Sequence, residues 1–392
     1  MTVNVTKPQI NVREKLSELD KPSGIAGEAI LRSETPQEVF NYIGAGRRNL
    51  IINGDMQVAQ RATSVTGITA SGFHTVDRMN LAISSFGTWT QTQDTTVPTA
   101  KGFTKSLKMD CTTAETSPSA GDYLAFQAKI EAQDLQMLKY GTSSAEALTL
   151  KFYVRSPKTG THIVHFYSPD GNRHISKAYT ISSADTFQEV IINIPGDTGG
   201  TINNDNGLGF NIEWYFGAGS NSTSGTLATS WASYVNANVA VGQVNCADST
   251  DNNFFITGIQ LEVGEFDVDS IPPFQHESFK DNLERCQRYY QNQGNNFFGR
   301  TEGTTKFYFQ VPFPVEMRTS PSITARGTGF KFSARYQGTD YLQDNPSISS
   351  AIGNEDGCWL GVTGSGLTNG VTIYGRGNRD KEGRFLALSA EL

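Results

Sequence analysis

The chain has 392 residues and a formal net charge of −7, and only 18% of its residues are charged. At roughly 100–200 residues per domain, this allows two or three domains, each long enough to bury its own core. The polarity is mostly uncharged. Together with 39 Gly and 14 Pro, it fits many short strands joined by turns and argues against a helical bundle or a coiled coil. No apolar run approaches the ~18–20 residues of a membrane span. The opening MTVNVTKPQINVREK lacks the apolar core of a signal peptide, so no secretion leader is expected. Cys111, Cys246, Cys286 and Cys358 are scattered without CxxC spacing, which suits reduced thiols better than a disulfide framework or a zinc site.

Residues 1–48 carry helix signals, at Val12–Asp20 and Pro36–Ile43. In the second, Thr35 is an N-cap before Pro36, and Gly44 and Gly46 end the helix. The linker between them has too few large apolar side chains for a core, so this segment reads as an arm that orders against a partner. Residues 49–265 read as strands. Leu148, Leu150, Phe152 and Val154 alternate with polar residues until Ser156-Pro157. Phe210, Ile212, Trp214 and Phe216 alternate with Asn211, Glu213 and Tyr215. In 254–263, the period of two places Phe255, Ile259, Leu261 and Val263 on one face. Turn clusters SPDGN (168–172) and GDTGGTINNDNG (196–207) separate such runs. The pattern predicts one large β-sandwich.

Residues 266–291 form a turn and a linking helix from about Ser278 to Gln291. Phe279, Leu283, Cys286 and Tyr290 make one stripe, Ser278 is the N-cap, and Asp281 sits where a capping-box acid would. Residues 292–392 return to strand signals at 306–313, 323–336, 371–376 and 385–392, and read as a smaller C-terminal β domain.

Between Lys177 and Lys280 there is no Lys or Arg, and residues 178–279 carry a charge of −12. Such a surface repels phosphates, so nucleic acid is not an expected partner. Catalytic motifs are missing: there is no GxSxG, GxxxxGK[ST], HExxH or strand-linked GxGxxG. His162 and His165 have an odd spacing, which puts them on opposite faces of a strand and not on one metal. Paired carboxylates for glycoside cleavage depend on folding and cannot be read from spacing. The chain is therefore read as non-enzymatic. The stronger signal is aromatic: sugar rings stack on Trp and Tyr while amides and carboxylates bond their hydroxyls. Asn211, Glu213 and Tyr215 form a candidate glycan strip, with Trp89 and Trp231 as further candidates in Ser/Thr-rich sequence.

NLIINGDMQVAQ (49–60) resembles the opening strand of bacteriophage tail-fibre and receptor-binding proteins. FHTVDRM (73–79) is similar to their aromatic-x-x-Asp-Arg-aromatic segment, with Met79 where Trp is usual. FFITGIQLEVGE (254–265) and PPFQHESFKDNLERCQRYYQ (272–291) resemble their closing strand, turn and helix. VPFPVEMRTSPSI (311–323) is similar to the strand that opens their distal section. The resemblance implies a jelly-roll-like sandwich similar to carbohydrate-binding modules within a homotrimeric virion component. This component would be made in the host cytoplasm and carried on the tail. It further implies that residues 1–48 bind the tail or an adaptor, and that the C-terminal domain is a candidate tip for a host surface glycan or lipopolysaccharide, with no membrane insertion. The sugar-module analogy adds a candidate structural Ca²⁺ near Asp55 and Glu262; no other cofactor is implied. Asp77 and Arg78 are expected to pair with a partner on a neighbouring strand, for architecture and not for a ligand. The alternatives are a polysaccharide depolymerase spike and a stand-alone carbohydrate-binding module.

Overall fold

Period-two alternation and turn chemistry set most of the strands, and long-range pairing arranges them. The computed structural model describes residues 47–293, 296–325, 331–336, 339–344, 348–363, 369–370, 372–377 and 386–392. The two helices expected in the arm lie outside the described residues. In chain order, the first thirteen strands are β1 (Ser64–Ile68), β2 (Gly72–Phe73), β3 (Met79–Ser84), β4 (Thr88–Asp94), β5 (Ser106–Thr113), β6 (Tyr123–Glu131), β7 (Leu148–Arg155), β8 (Gly160–Ser168), β9 (Arg173–Ile181), β10 (Gln188–Ile194), β11 (Leu208–Ala218), β12 (Ala232–Ser233) and β13 (Asn253–Val263). A single helical turn, α1 (Ser220–Thr223), follows β11.

These strands form a jelly-roll-like β-sandwich. One sheet has the order β1-β4-β5-β13-β7-β10 and the other β12-β9-β8-β11-β6-β3-β2. Between them lies a core containing the fully buried Trp89, Phe126, Phe152, Phe166, Phe210, Trp214, Phe216 and Phe254. Each such side chain contributes about 1.5–3 kcal/mol by leaving water. Trp214 packs on Phe126 and Phe152, at ring separations of 5.2 and 5.8 Å.

Two sequence expectations about the sandwich strands change here. The outer face of β7 is buried as well as its inner one, because Lys151 pairs with Glu189 and Tyr153 packs on Phe103. On β13 the single apolar face does not hold: Phe254 and Ile256 join the core, then Ile259 and Leu261. The register shifts between Thr257 and Gln260, where Gly258 takes φ +64°. This extra residue switches parity and turns Phe255 outward toward Arg155.

The linking helix, α2 (Phe279–Gln287), begins at the expected N-cap, where Ser278 Oγ accepts from Asp281 N at 3.2 Å. It is shorter than expected. Tyr290 opens β14 (Tyr290–Gln293), and Phe279 is 60% exposed, so the buried helix residues are Asn282 and Cys286.

The remaining strands are β15 (Asn296–Glu302), β16 (Lys306–Pro312), β17 (Ser322–Ala325), β18 (Lys331–Tyr336), β19 (Thr339–Asp344), β20 (Ile348–Gly353), β21 (Gly357–Thr363), β22 (Thr372–Gly377) and β23 (Leu386–Ser389). They make a three-stranded sheet, β14-β23-β17, and a seven-stranded one, β19-β18-β22-β15-β16-β21-β20. The run expected over 323–336 is divided between these two sheets. No helix among the described residues is long and apolar enough to cross a membrane.

Candidate functional site

Strands β6, β8 and β11 lie side by side in the second sheet. Because their even-numbered residues fill the core there, the odd-numbered ones share the outer face. Tyr123 and Gln127 come from β6, His165 and Tyr167 from β8, and Asn211, Glu213 and Tyr215 from β11. The register sets Glu213 between Gln127 and His165. The chain just before β6 and the segments after β11 and β12 then wall this face. A cleft of about 420 Å³ results, lined by Gly121, Tyr123, His165, Tyr167, Asn211, Glu213, Tyr215, Asn221, Ser222, Tyr234 and Asn236.

Glu213, only 9% exposed, organises the floor. Its Oε1 accepts from Gln127 Nε2 and from Asn211 Nδ2 (2.8 Å). Its Oε2 accepts from His165 Nδ1 (2.8 Å) and Tyr215 Oη (3.3 Å). Burial pushes this carboxyl up, but the hydrogen bonds from His165, Gln127 and Tyr215 outweigh burial and hold it below the usual carboxylate range. The histidines form a directed chain. Val235 N donates to His174 Nε2 at 3.4 Å, so the His174 proton sits on Nδ1 and faces His165 Nε2 at 3.2 Å. His165 then carries its proton on Nδ1, facing Glu213. Burial lowers the His174 pKa to about 4, which keeps that ring neutral.

Asn211 is 8% exposed, and its Oδ1 finds no partner within the protein. Tyr234 is 37% exposed and packs on Tyr167 at 5.0 Å between ring centres. The arrangement offers aromatic faces and a rigid set of polar atoms. Glu213 is the one carboxylate in the lining, whereas glycoside hydrolysis generally uses two.

The structure therefore brings Asn211, Glu213 and Tyr215 into one cleft but leaves the tryptophans out. Trp89 is fully buried; its Nε1 donates to Phe86 O at 2.8 Å and its ring meets Phe216 edge-on. The Ser/Thr-rich sequence around it lies on the opposite side of β4, so the expectation of exposure fails. Trp231 is half-buried. It lies against Phe210 and Tyr140 and donates to Pro195 O at 2.6 Å, away from the cleft lining.

Asp55 and Glu262 do not share a site. Asp55 lies within reach of Asn282 Nδ2 and lines a small recess that excludes Glu262. Glu262 accepts from Gln260 and lies 3.9 Å from Arg48. Among the described residues, no group of three His, Cys, Asp or Glu side chains is gathered for a metal. His162 and His165 do lie on opposite faces: His162 stacks on Tyr179 in the core while His165 lines the cleft.

Sequence reading missed Tyr123, His165, His174, Tyr167, Tyr234, Asn221 and Asn236. The i, i+2 pair His165 and Tyr167, which repeats the Glu213 and Tyr215 spacing, was the available signal.

The sequence matches no family model and no curated protein. Among solved structures, it is similar to the enzymatically active domain of tailspike protein 4 of bacteriophage CBA120 (14% identity, TM-score 0.29). That similarity covers 57% of this chain but 22% of that one. It is also similar to a family 11 carbohydrate-binding module from Clostridium thermocellum (12% identity, TM-score 0.25, 57% of this chain and 99% of that one). A third is the tandem CBM22 domain of Xyn10C from Paenibacillus barcinonensis (7% identity, TM-score 0.25, 89% and 99%).

Proposed function

We propose that this chain binds a glycan in the cleft on the outer face of the second sheet, and that it does so as a bacteriophage tail fibre adsorbing to a bacterial surface. The observation that carries the glycan reading is the cleft floor: tyrosine rings beside a buried, unpartnered amide oxygen, with Asn211 and Tyr215 held by Glu213. Aromatic faces take the C–H side of a sugar, and Asn211 Oδ1 takes a hydroxyl proton. The test is binding of the full chain to a glycan array and to host cells. The double variant Tyr167→Ala/Tyr234→Ala should lose at least tenfold in affinity, since each ring supplies about 1 kcal/mol, with an unchanged melting temperature. Binding that survives in the double variant would overturn the assignment of the cleft.

The fibre role is supported by the sequence resemblance and by the joint it marks. Asn53, Gln60, Asp77, Arg78, Tyr289, Tyr290 and Arg318, drawn from the four resembling stretches, meet where the sandwich joins the C-terminal strands. In this reading residues 1–48 attach to the tail, the C-terminal unit points toward the host, and three copies act together. One shallow site binds weakly, and three linked sites raise affinity by ~10²–10⁴. A stable monomer at micromolar concentration would overturn the trimer.

A further inference from the structure

Most polar atoms of the cleft floor face one way. Three tyrosine hydroxyls spend their protons on protein acceptors: Tyr215 on Glu213 Oε2 (3.3 Å), Tyr234 on Asn236 Oδ1 (3.0 Å) and Tyr167 on Asn172 Oδ1 (3.2 Å). Asn211 spends an amide proton on Glu213 and leaves Oδ1 buried and unpartnered. His165 is closed off by Glu213 on one side and His174 on the other. Apart from the Tyr123 hydroxyl, what the floor presents to a ligand is lone pairs. The amide donors in the lining, Asn221 and Asn236, are uncharged, and no Lys or Arg lines the cleft.

Cations on the flanking strands are committed elsewhere. Lys129, opposite Asn211, donates to Leu392 O at 2.7 Å. Lys177 donates to Thr229 O at 2.9 Å. Arg173 holds Asp197 at two points, 2.6 and 2.8 Å.

Building on the glycan-binding reading above, we propose that the cleft selects neutral and amino-bearing sugars and rejects anionic ones such as uronates and phosphorylated sugars. A hydroxyl or an ammonium donates into lone pairs. A carboxylate or phosphate brings only more lone pairs, and it approaches the Glu213 charge with no cation to offset it. In a partly desolvated cleft that repulsion is poorly screened, so rejection works through the wrong partner as much as through attraction of the right one.

The test uses the full chain on an array carrying matched oligosaccharides in three forms: neutral, amino-sugar and uronic-acid versions of the same backbones. Bound neutral and amino forms should exceed their uronate counterparts by at least tenfold. Asn221→Lys, at an exposed rim position, should narrow that gap at least tenfold without altering the melting temperature. If the uronate forms bind as tightly as the neutral ones, and lose that binding in Tyr167→Ala/Tyr234→Ala, the charge selection is overturned while the glycan cleft stands. If no form binds, or binding persists in the double variant, the cleft reading fails and this inference falls with it.

Discussion

Buried histidines give this sandwich a dependence on acid that can be read residue by residue. His162 is fully buried, its Nε2 facing Lys158 O at 3.1 Å while its Nδ1 has no partner. Burial lowers its pKa to about 4, as it does for His174. An imidazole of the unfolded chain takes its proton near pH 6.5. The unfolded state therefore binds more protons in the interval, and the stability these rings allow is complete above pH 6.5 and lost as pH falls toward 4. For His162 the loss is about 3 kcal/mol. Asp77, pushed up to about 6 by burial, acts in the opposite direction over the same range. The histidine contribution is therefore the difference between parent and variant: urea midpoints of His162→Phe should fall less steeply than the parent's from pH 6.5 to 4. At this scale the sequence revealed Asn211, Glu213 and Tyr215, because one strand's period of two puts them together. It did not reveal His165, Tyr167 or Tyr234, because their place beside Glu213 comes from pairing β8 with β11 and from the loop after β12, neither of which is written locally.

Strands were legible where one parity held from end to end, as in β11, and misread where an inserted residue broke it. Gly258 is the clearest instance. Its φ of +64° is open to glycine, and an added Cβ would stand 2.6 Å from Phe103 Cζ and 3.0 Å from Tyr153 Cδ2. Gly258→Ala should therefore cost more than the ~1 kcal/mol expected from backbone conformation alone, with 2–4 kcal/mol a fair expectation once the ring contact is added. Equilibrium unfolding measures it. A neutral result would mean that the bulge on β13 relaxes freely. The linking helix shows the complementary case. Its start is encoded by Ser278 and is found as expected. Its end is set by Tyr290 joining β23, a partner about 100 residues away that helical periodicity has no means of signalling.

Across the whole molecule, the residues that carry the fibre resemblance build a joint and not a binding surface. Glu131, fully buried at the end of β6, accepts from Arg288 at 2.7 and 2.8 Å and from Tyr289 Oη at 2.6 Å. The Arg78 guanidinium lies 3.4 Å from the Tyr289 ring centre and pairs with Glu391. The Arg61 guanidinium lies 3.6 Å from the Tyr290 ring centre. Arg318 reaches Ala390 O, Glu391 O and Asn206 O. The expectation that Asp77 and Arg78 serve architecture agrees with this geometry, with Arg78 bonding Lys129 O and Asp77 bonding Gln60. Their partners proved to be a loop and the C-terminal segment, not a neighbouring strand alone. Glu131→Ala leaves Arg288 and Tyr289 without their shared acceptor, and removing one partner of such a pair costs about 3–5 kcal/mol. Calorimetry should show the parent's unfolding separating into two transitions, the C-terminal strands melting first. A single transition of unchanged midpoint would mean the joint contributes nothing to cohesion.

Strand β6 carries both Gln127, which bonds Glu213, and Glu131, which anchors the joint. They lie four positions apart, about 13 Å along the strand. Tension entering at Arg288 would travel down the axis of β6, where the rungs to β11 and β3 lie crosswise to the pull. All the rungs would be loaded together instead of parting one by one, so under load the cleft floor would keep its shape for as long as the ladder lasts.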